Sequence, residues 1–543
     1  MIQAFRHTVA LPLCLGAFFL CLYLVTGASD LLHNGDTLLR YQTTQALVDH
    51  HRLWIDHPRY TDSRVALGRG HHLYAFYGPG QTLLMVPLYV AGKVLAHHLA
   101  LPYDITTQYA TRSLDLFLGA LLAVLFFLLA RSAGYADRIA ALLTLVFGLA
   151  TVAWPDAQSA LEQTQVNVFL LLAVLGIWQF RRGEYANRRW LLLAGTGVGL
   201  AFATRYDALI YLPVLGLVLA AFRWVAGRRG EIAGDALAFL ASVSPWIALV
   251  VLWNIARFGS PLRTGLSEQT LGNPFPLGLA ELTVSPGKGL LWYVPLLLLL
   301  PWAGRRFLQR SRALAVLCCV LALVPLLFYA NILYWHGDPA WGPRYLYVAV
   351  PYLILPLGEL LVAWSRLAAS LKATAAVLLI ASIALQLCAV SVTQWRFWYR
   401  LQAYREQSAN ANTWTGQPFH WGDQHYHYYW DIRLSPIVIQ VDNVYQVSRL
   451  LLGAERYQET LKPGSAVSSN TADNYPVNEF NFWWADSRHP LLGPHTRDVL
   501  AALLVLGALG SLAGVVIGAG GVWDRQPFRL DEALPEIRSS ATG

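Results

Sequence analysis

The sequence of 543 residues is poor in charge. Asp, Glu, Lys and Arg make up 13% of it, about half the share found in ordinary soluble proteins, whereas 56% of its residues are hydrophobic. This balance excludes a disordered chain, a coiled coil and a nucleic-acid-binding domain. A chain with so little polar surface needs a lipid bilayer as its solvent, so the composition predicts an integral membrane protein.

Cysteine is also scarce, and its positions exclude two kinds of site. All five cysteines lie inside apolar runs, namely Cys14, Cys21, Cys318, Cys319 and Cys388. We therefore expect neither a disulfide framework nor a cysteine-based metal site. The sequence lacks a glycine-rich phosphate-binding loop, which argues against a nucleotide-driven pump. It also lacks the internal repeat that marks many secondary transporters.

Apolar runs of spanning length are the dominant feature that is present. Twelve of them lie near residues 8–28, 110–130, 139–153, 164–180, 191–204, 206–222, 234–256, 289–303, 313–331, 344–363, 373–393 and 498–523. Arginine and lysine recur in alternate short loops, and the positive-inside rule places these loops in the cytoplasm together with the tail at 524–543. Residues 81–100 form a further apolar run, but counting it as a span would move those loops outside. We therefore predict that this run is a juxtamembrane helix along the membrane surface.

These runs predict an all-α polytopic protein of the cytoplasmic membrane, with about 12 spans and two large outer elements. The first element is the loop 29–109, which ends in the juxtamembrane helix. The second is an aromatic-rich segment of mixed structure at 394–497, which precedes the last span at 498–523. Residues 1–393 would form the main transmembrane module. Fourteen of the fifteen histidines fall on the outer side, so we expect a functional site at that face.

Acidic residues on the predicted outer side are candidates for chemistry. Asp36 follows Asn34-Gly35 at the start of a helix-compatible run, where it either caps the helix or accepts a proton from a hydroxyl nucleophile. The local sequence favours the cap. Asp156 and Glu162 lie in the second outer loop. Glu162 suits the dipole of the next helix, and the alternative is that both carboxylates orient an acceptor or hold a divalent cation.

Four cations are predicted to lie at one level of the membrane, near the same face. They are Arg112, Arg205, Lys288 and Arg344. Each stands beside an apolar run, where a long basic side chain often only extends to the interface, and Asp207 is close enough to neutralise Arg205. Together the four would also suit the phosphate of a lipid-linked substrate, since guanidinium groups bind phosphate through paired hydrogen bonds.

The order of these features resembles the integral-membrane glycosyltransferases of the GT-C fold, in the branch that includes protein O-mannosyltransferases and aminoarabinose transferases. The matching features, in chain order, are Gly35-Asp36, the juxtamembrane helix, Arg112, the acidic loop from Asp156 to Glu162, Thr204-Arg205, Ser285-Pro-Gly-Lys-Gly and Trp341-Gly-Pro-Arg-Tyr. The likeness covers about residues 1–365. One departure is that Thr37 follows Asp36, where protein mannosyltransferases typically have a glutamate.

The resemblance implies transfer of a sugar from a polyprenyl-phosphate-linked donor to a hydroxyl acceptor on a glycan, lipid or protein, at the outer (periplasmic or extracellular) face of the membrane. Asp36 would deprotonate the acceptor in a single displacement with inversion, and Asp156 or Glu162 would orient it. The four cations would stabilise the departing phosphate. No cofactor is implied, and a divalent cation stays open. The alternatives are a transporter or flippase of lipid-linked sugars and a non-catalytic polysaccharide-assembly subunit, neither of which needs a proton acceptor.

Overall fold

The protein is described by a computed structural model that covers residues 2–29, 35–59, 64–265, 271–337, 340–393, 427–453, 480–486 and 489–520. Within these ranges the chain is helical almost throughout, which confirms the prediction of an all-α polytopic fold. Most of the predicted outer segment, at 394–426 and 454–479, and the predicted tail at 524–543 lie outside the described residues.

The first part of the chain forms one long helix that packs into the bundle core, and then a group of elements around one end of the bundle. In order these are α1 (Ile2–Val25), α2 (Gly35–His50), β1 (Val65–Leu67), a 3₁₀ turn (Arg69–His71), β2 (Leu73–Ala75), α3 (Pro79–His98) and α4 (Tyr103–Arg112). The two strands pair antiparallel with Ala66 opposite Tyr74. Pro79 is the first residue of α3, a position that suits its fixed φ and missing N–H. We call this end of the bundle the site end.

The remaining helices form the bundle itself. The first group is α5 (Leu114–Ser132), α6 (Asp137–Leu149), α7 (Ala153–Ser159), α8 (Gln163–Arg182), α9 (Arg189–Thr204), α10 (Tyr211–Val225) and α11 (Ile232–Phe258). The second group is α12 (Phe275–Val284), α13 (Leu290–Tyr293), α14 (Leu300–Arg310), α15 (Arg312–Tyr329), α16 (Val350–Ile354), α17 (Gly358–Val362), α18 (Ala369–Ser391), α19 (Pro436–Leu451) and α20 (Pro494–Gly520). Further 3₁₀ turns lie at Tyr206–Ile210, Arg229–Glu231, Pro295–Leu299, Arg344–Ala349, Leu355–Leu357, Trp364–Arg366, His427–Trp430 and Ile432–Leu434.

Among the described residues, eight helical stretches are long and apolar enough to cross a membrane, and α3 is not one of them. A ninth is added if α6 and α7, which meet at a bend of 54°, form one span. Three shorter apolar helices lie at Ala10–Val25, Arg189–Thr204 and Phe275–Val284. The predicted count of about 12 spans is therefore not confirmed. One reason is that the run at 289–303 is divided into α13, a 3₁₀ turn and α14, because Pro295 and Pro301 supply no backbone N–H for a continuous helix.

Glycines on α9 let the central helices pack closely. A Cβ atom on Gly197 would lie 2.5 Å from the carbonyl oxygen of Phe169 on α8, and one on Gly195 would lie 1.8 Å from Oγ of Ser242 on α11. Small residues of this kind allow the backbones of membrane helices to approach each other. The result is that Arg205, directly after α9, is held firmly at the site end beside the start of α8.

Candidate active site

The turn between α7 and α8 connects the separate elements of the site. Ala160 in this turn has a φ of 56°, in the left-handed region that is costly for a residue with a Cβ atom. Its carbonyl oxygen accepts hydrogen bonds from Oγ1 of Thr37 (2.7 Å) and from Nε2 of Gln81 (3.1 Å). Both α2 and α3 are thereby attached to the acidic loop. The threonine that departs from the family pattern thus has a structural role, and it brings the neighbouring Asp36 to that loop.

Asp36 lies in the first turn of α2 and contacts three other side chains. Its Oδ1 accepts a hydrogen bond from the hydroxyl of Tyr77 at 2.7 Å and lies 3.7 Å from Nη1 of Arg64. Its Oδ2 lies 3.4 Å from Nη1 of Arg344, a residue 308 positions away in the chain. Burial, reinforced by the Asp36 carboxylate, raises the pKa of Tyr77 well above its usual value, so Tyr77 stays protonated and donates. The Asp36 side chain is 17% exposed and therefore accessible to a substrate.

The Tyr-Gly-Pro-Gly sequence before α3 packs directly against the end of α9. A Cβ atom on Gly78 would lie 2.4 Å from the carbonyl oxygen of Ala203, and one on Gly80 would lie 2.4 Å from Oγ1 of Thr204. Neither position can accept a larger residue without moving backbone or a helix end. These two glycines therefore bring Tyr77, and with it Asp36, close to Arg205.

Glu162 bridges two arginines at the centre of the site. Its Oε2 lies 2.9 Å from Nη1 of Arg40, and its Oε1 accepts a hydrogen bond from Nη1 of Arg205 at 2.5 Å. Although burial favours the neutral acid, the guanidinium groups of Arg40, Arg205 and Arg344 hold the pKa of Glu162 well below its usual range. The sequence interpretation gave no role to Arg40. Its signal is the spacing of four residues from Asp36, which places both side chains on one face of α2.

Arg205 and Arg344 converge on one aromatic ring. The Cζ atom of each lies 5.0 Å from the ring centroid of Tyr345, within the range of a cation–π contact. Arg344 is 7% exposed, its Nη2 lies 3.3 Å from the Tyr345 hydroxyl, and its Nε has no hydrogen-bond partner among the described residues. Buried guanidinium donors are normally satisfied, so this N–H of Arg344 is an exception among the described residues. Arg205 also pairs with Asp207, as the sequence indicated.

The other two predicted cations contact backbone carbonyls around this pair. Nζ of Lys288 donates to the carbonyl oxygens of Ala340 (2.8 Å) and Gly342 (3.1 Å), which holds the turn directly before Arg344. Nη2 of Arg112 lies 3.4 Å from the carbonyl oxygen of Gln158, in the acidic loop. The structure therefore brings Arg205 and Arg344 together, and it places Lys288 and Arg112 where they support neighbouring backbone. The direct phosphate-binding roles of all four stay predictions.

Two further buried carboxylates lie behind the acidic loop. Asp156 is 4% exposed, and its Oδ2 has no hydrogen-bond partner among the described residues. Asp115 on α5, which sequence reasoning missed, is 1% exposed and accepts a hydrogen bond from Nε2 of Gln165 at 3.3 Å. A buried oxygen without a donor is costly, so Oδ2 of Asp156 has acceptor capacity that no described residue uses.

Two adjoining cavities lie beside Arg205. The first has a volume of about 20 Å³ and is lined by Arg205, Asp207, Tyr345 and Tyr329, among others. The second has a volume of about 600 Å³ and is lined mainly by apolar side chains, including Val214, Val324 and Leu327. Ile210 and Phe328 line both cavities. The first cavity is large enough for about one water molecule, whereas the second is large enough and apolar enough for part of a hydrocarbon chain.

The paired charges of the site leave a positive excess. Four arginines (Arg40, Arg64, Arg205 and Arg344) and three carboxylates (Asp36, Glu162 and Asp207) form contiguous ion pairs. In the part of the chain that the structure describes, no three His, Cys, Asp or Glu side chains converge as metal ligands. Carboxylates already surrounded by guanidinium groups are a poor donor set for a divalent cation and a good setting for an anion.

Glu281 on α12 lies near Lys288 and makes the stability of the fold depend on pH. It is 2% exposed, and burial raises its pKa to about 7, even though Asn273 and Trp430 donate to it. Its folded pKa lies above the ordinary 4.5, so the folded state loses stability as pH rises from about 4.5 through about 7. We expect Glu281→Gln to raise the melting temperature in detergent by several degrees at pH 8 and to leave it unchanged below pH 5. The control is Glu184→Gln, because Glu184 is exposed. An equal shift of the melting temperature at both pH values would contradict the expectation for Glu281→Gln.

Part of the chain matches a known protein family. Residues 80–231 match the model of the dolichyl-phosphate-mannose-protein mannosyltransferases. The matched stretch runs from the start of α3 to the 3₁₀ turn before α11, and it contains Arg112, Asp156, Glu162 and Arg205. A search among curated proteins finds no match.

Two solved structures illustrate what the whole chain is similar to. One is ArnT from Cupriavidus metallidurans bound to undecaprenyl phosphate, with 15% identity, a TM-score of 0.44 and coverage of 95% of this chain and 77% of that one. Another is the archaeal oligosaccharyltransferase AglB from Archaeoglobus fulgidus in complex with an inhibitory peptide and a dolichol-phosphate. Its identity is 11% and its TM-score 0.42, and the alignment covers 81% of this chain and 64% of that one.

The family match bears directly on the resemblance that the sequence predicted. It covers the juxtamembrane helix, the acidic loop and the run that ends in Arg205, which are three of the features on which the resemblance was based. The predicted glycosyltransferase class is thereby confirmed. With its spanning helices, the chain is a multi-pass membrane glycosyltransferase similar, over residues 80–231, to the dolichyl-phosphate-mannose-protein mannosyltransferases.

Proposed function

We propose that the protein transfers a sugar from a polyprenyl-phosphate-linked donor to a hydroxyl group of a glycan, lipid or protein acceptor. The observation that carries this proposal is the 3.4 Å contact between the Asp36 carboxylate and the Arg344 guanidinium. This contact supports a single displacement, because it places the proposed proton acceptor directly beside a proposed phosphate-binding cation. The donor class is supported by the description of the matching family, which names a lipid phosphate sugar, dolichyl-phosphate-mannose, as the donor.

The reaction can be written with the residues in place. The acceptor oxygen attacks the anomeric carbon of the donor while its proton passes to the Asp36 carboxylate. The bond between the anomeric carbon and the phosphate oxygen breaks, and polyprenyl phosphate departs with the bonding electron pair. Because attack and departure take place on opposite faces of the sugar, the configuration at this carbon inverts. The hydrogen bond from Tyr77 keeps the Asp36 carboxylate in position for the incoming hydroxyl.

The arginine pair supplies the stabilisation that the leaving group needs. Negative charge grows on the phosphate as the bond breaks, and preorganised cations act most strongly on charge that develops in the transition state. Nε of Arg344 is buried and has no hydrogen-bond partner among the described residues, and Arg205 lies on the same Tyr345 ring. The neighbouring apolar cavity then takes the first units of the polyprenyl chain. Lys288 contributes by fixing the turn before Arg344, and Arg112 by fixing the acidic loop.

The two acidic-loop residues have different parts in this scheme. Glu162 acts through Arg40 and Arg205, which its two oxygens bridge. Asp156 orients the acceptor hydroxyl, since its Oδ2 is a buried acceptor without a donor. The step is written without a metal because the charges around Asp36 and Glu162 are already balanced by guanidinium groups.

Helix α8 supports an outward orientation of the site. Glu162 directly precedes this helix, and Arg181 and Arg182 form its last turn. A helix of 20 residues spans about 30 Å, the thickness of the hydrocarbon core. Arginines next to a span favour the cytoplasmic side, so the site end faces the outer side of the cytoplasmic membrane.

The test is a donor panel with purified protein in detergent. Radiolabelled polyprenyl-phosphate sugars are supplied with hydroxyl acceptors, and loss of label from the carrier is followed together with release of polyprenyl phosphate. We expect one donor to be consumed, with one carrier phosphate released per sugar and an inverted anomeric configuration in the product by NMR. Retention of configuration would contradict the single displacement. Tight carrier binding without consumption of any donor would instead favour a transporter or flippase.

A further inference from the structure

We propose that Asp207 and Tyr329 are positioning residues that hold the guanidinium group of Arg205 for the departing phosphate. The inference rests on the proposed function and extends it to a contact network inside the bundle. Asp207 is the second residue of the 3₁₀ turn Tyr206–Ile210, which follows α9, and Tyr329 is the last residue of α15. Both lie beside the charged cavity that Arg205 lines.

Asp207 fixes the plane of the Arg205 guanidinium. Nε of Arg205 donates to Oδ1 of Asp207 at 3.0 Å, and Nη2 donates to Oδ2 at 2.6 Å, so the contact is bidentate. On the opposite side, Nη1 donates to Glu162. With a further contact from Nη2 to the Tyr329 hydroxyl at 3.2 Å, four of the five N–H groups of Arg205 are used. The remaining one is on Nη1, has no partner among the described residues, and is the group that would bind a phosphate oxygen.

Tyr329 closes the network and connects it to the second arginine. Its hydroxyl donates to Oδ2 of Asp207 while it accepts from Arg205. Its ring stacks on Tyr345 with centroids 4.4 Å apart and planes at 8°, and Tyr345 is the ring on which Arg205 and Arg344 both lie. Because the ring planes are packed together, the positions of the two guanidinium groups are fixed relative to one another.

The network also offsets the negative charge of the two carboxylates that contact Arg205. Two carboxylates, Glu162 and Asp207, contact this single guanidinium, and their combined charge would repel a phosphate. Arg40 compensates for Glu162. On the other side, the Tyr329 hydroxyl donates to Asp207 and disperses part of its charge. Removing this hydroxyl therefore both loosens Arg205 and weakens the stabilisation of the charge that grows on the departing phosphate.

The chain offers a matched control for the loss of one tyrosine hydroxyl. Tyr352 on α16 is 1% exposed, and its hydroxyl has no hydrogen-bond partner among the described residues. Tyr352→Phe removes the same atom as Tyr329→Phe from an equally buried site, but it breaks no described contact. A general effect of deleting a buried hydroxyl would therefore be seen in both variants.

The experiment compares the transfer kinetics of purified wild type, Tyr329→Phe, Tyr352→Phe and Asp207→Asn, with the donor found to be consumed. We expect Tyr329→Phe to lower kcat about tenfold, as for a lost hydrogen bond in a charged network, while KM changes by less than about threefold. Asp207→Asn should lower kcat further, and Tyr352→Phe should match wild type. In addition, free guanidinium should restore part of the activity of Arg205→Ala, but not of Arg205→Ala combined with Tyr329→Phe, because its binding cradle is then incomplete.

The outcomes separate this inference from the function on which it rests. If wild type transfers sugar and Tyr329→Phe behaves like Tyr352→Phe, the positioning role is overturned while the transferase stands. Equal guanidinium rescue with and without the Tyr329 hydroxyl would overturn it as well. If wild type consumes no donor, the proposed function fails, and the role of Asp207 and Tyr329 fails with it.

Discussion

Asp36→Asn is expected to abolish most sugar transfer, lowering kcat by about 100- to 10,000-fold, the range that a general base contributes. Asparagine has nearly the same shape, and its oxygen can still accept the hydrogen bond from Tyr77, but it cannot take a proton from the acceptor hydroxyl. The loss of one negative charge beside Arg344 and Arg64 should leave carrier binding intact or make it tighter. The measurement is the initial rate of label transfer, combined with the affinity for polyprenyl phosphate.

Asp56→Asn is the matched control for this substitution. Asp56 lies in the same outer loop, its side chain is 47% exposed, and its partner is the surface residue Arg52. Exposed pairs of this kind contribute little to stability, so the variant should retain the wild-type rate and affinity. If Asp36→Asn transferred sugar within about threefold of the wild-type rate, another group would have to be the base. If it lost carrier binding and transfer together, Asp36 would instead serve to hold Arg344.

The sequence predicted much of the fold because hydropathy is the main determinant of membrane helices. The runs at 164–180, 234–256 and 373–393 each correspond to one helix, α8, α11 and α18. The run at 289–303 did not, since its apolar composition concealed two prolines that interrupt the helix. Whether a short apolar helix such as α9 crosses the membrane depends on its neighbours, which a single sequence does not display.

The site was predicted in part from the order of charged residues along the chain. Asp36, Glu162, Arg205 and Arg344 are indeed brought together, because the α7–α8 turn and the glycines before α3 attach distant segments to one end of the bundle. Their chemical roles stay predictions.

Tyr77, Tyr329 and Tyr345 had no comparable signal. The first stands in a turn, and the other two border apolar runs, where a tyrosine is unremarkable until packing shows which charge it contacts. Asp207 was recognised as a partner of Arg205, but its contact with Tyr329 joins residues 122 positions apart. Sequence spacing can find residues that share one face of a helix, such as Asp36 and Arg40, but it cannot find contacts that only the packing of separate helices creates.

Glu162→Gln is expected to have the largest effect on stability, reducing the free energy of unfolding by about 3–5 kcal/mol, as when one partner of a buried ion pair is removed. Arg40 and Glu162 are 2% and 3% exposed, and glutamine would leave the Arg40 charge buried without a neutralising carboxylate in contact. Arg205 would keep Asp207. Unfolding in detergent followed by circular dichroism measures the effect. Transfer activity should fall as well, because the Glu162 carboxylate that bridges Arg40 and Arg205 would be lost.

The pH dependence and a second substitution make this expectation specific. The pKa of Glu162 is lower in the folded state than its ordinary 4.5, so its stabilising contribution is present above about pH 4.5 and is lost as the pH falls below that value. The difference between wild type and Glu162→Gln should therefore shrink in acid. Arg40→Met combined with Glu162→Gln removes both charges and should be more stable than Glu162→Gln alone, because no unpaired buried charge remains. A double variant as unstable as the sum of the single variants would show that Arg40 and Glu162 do not act as a pair.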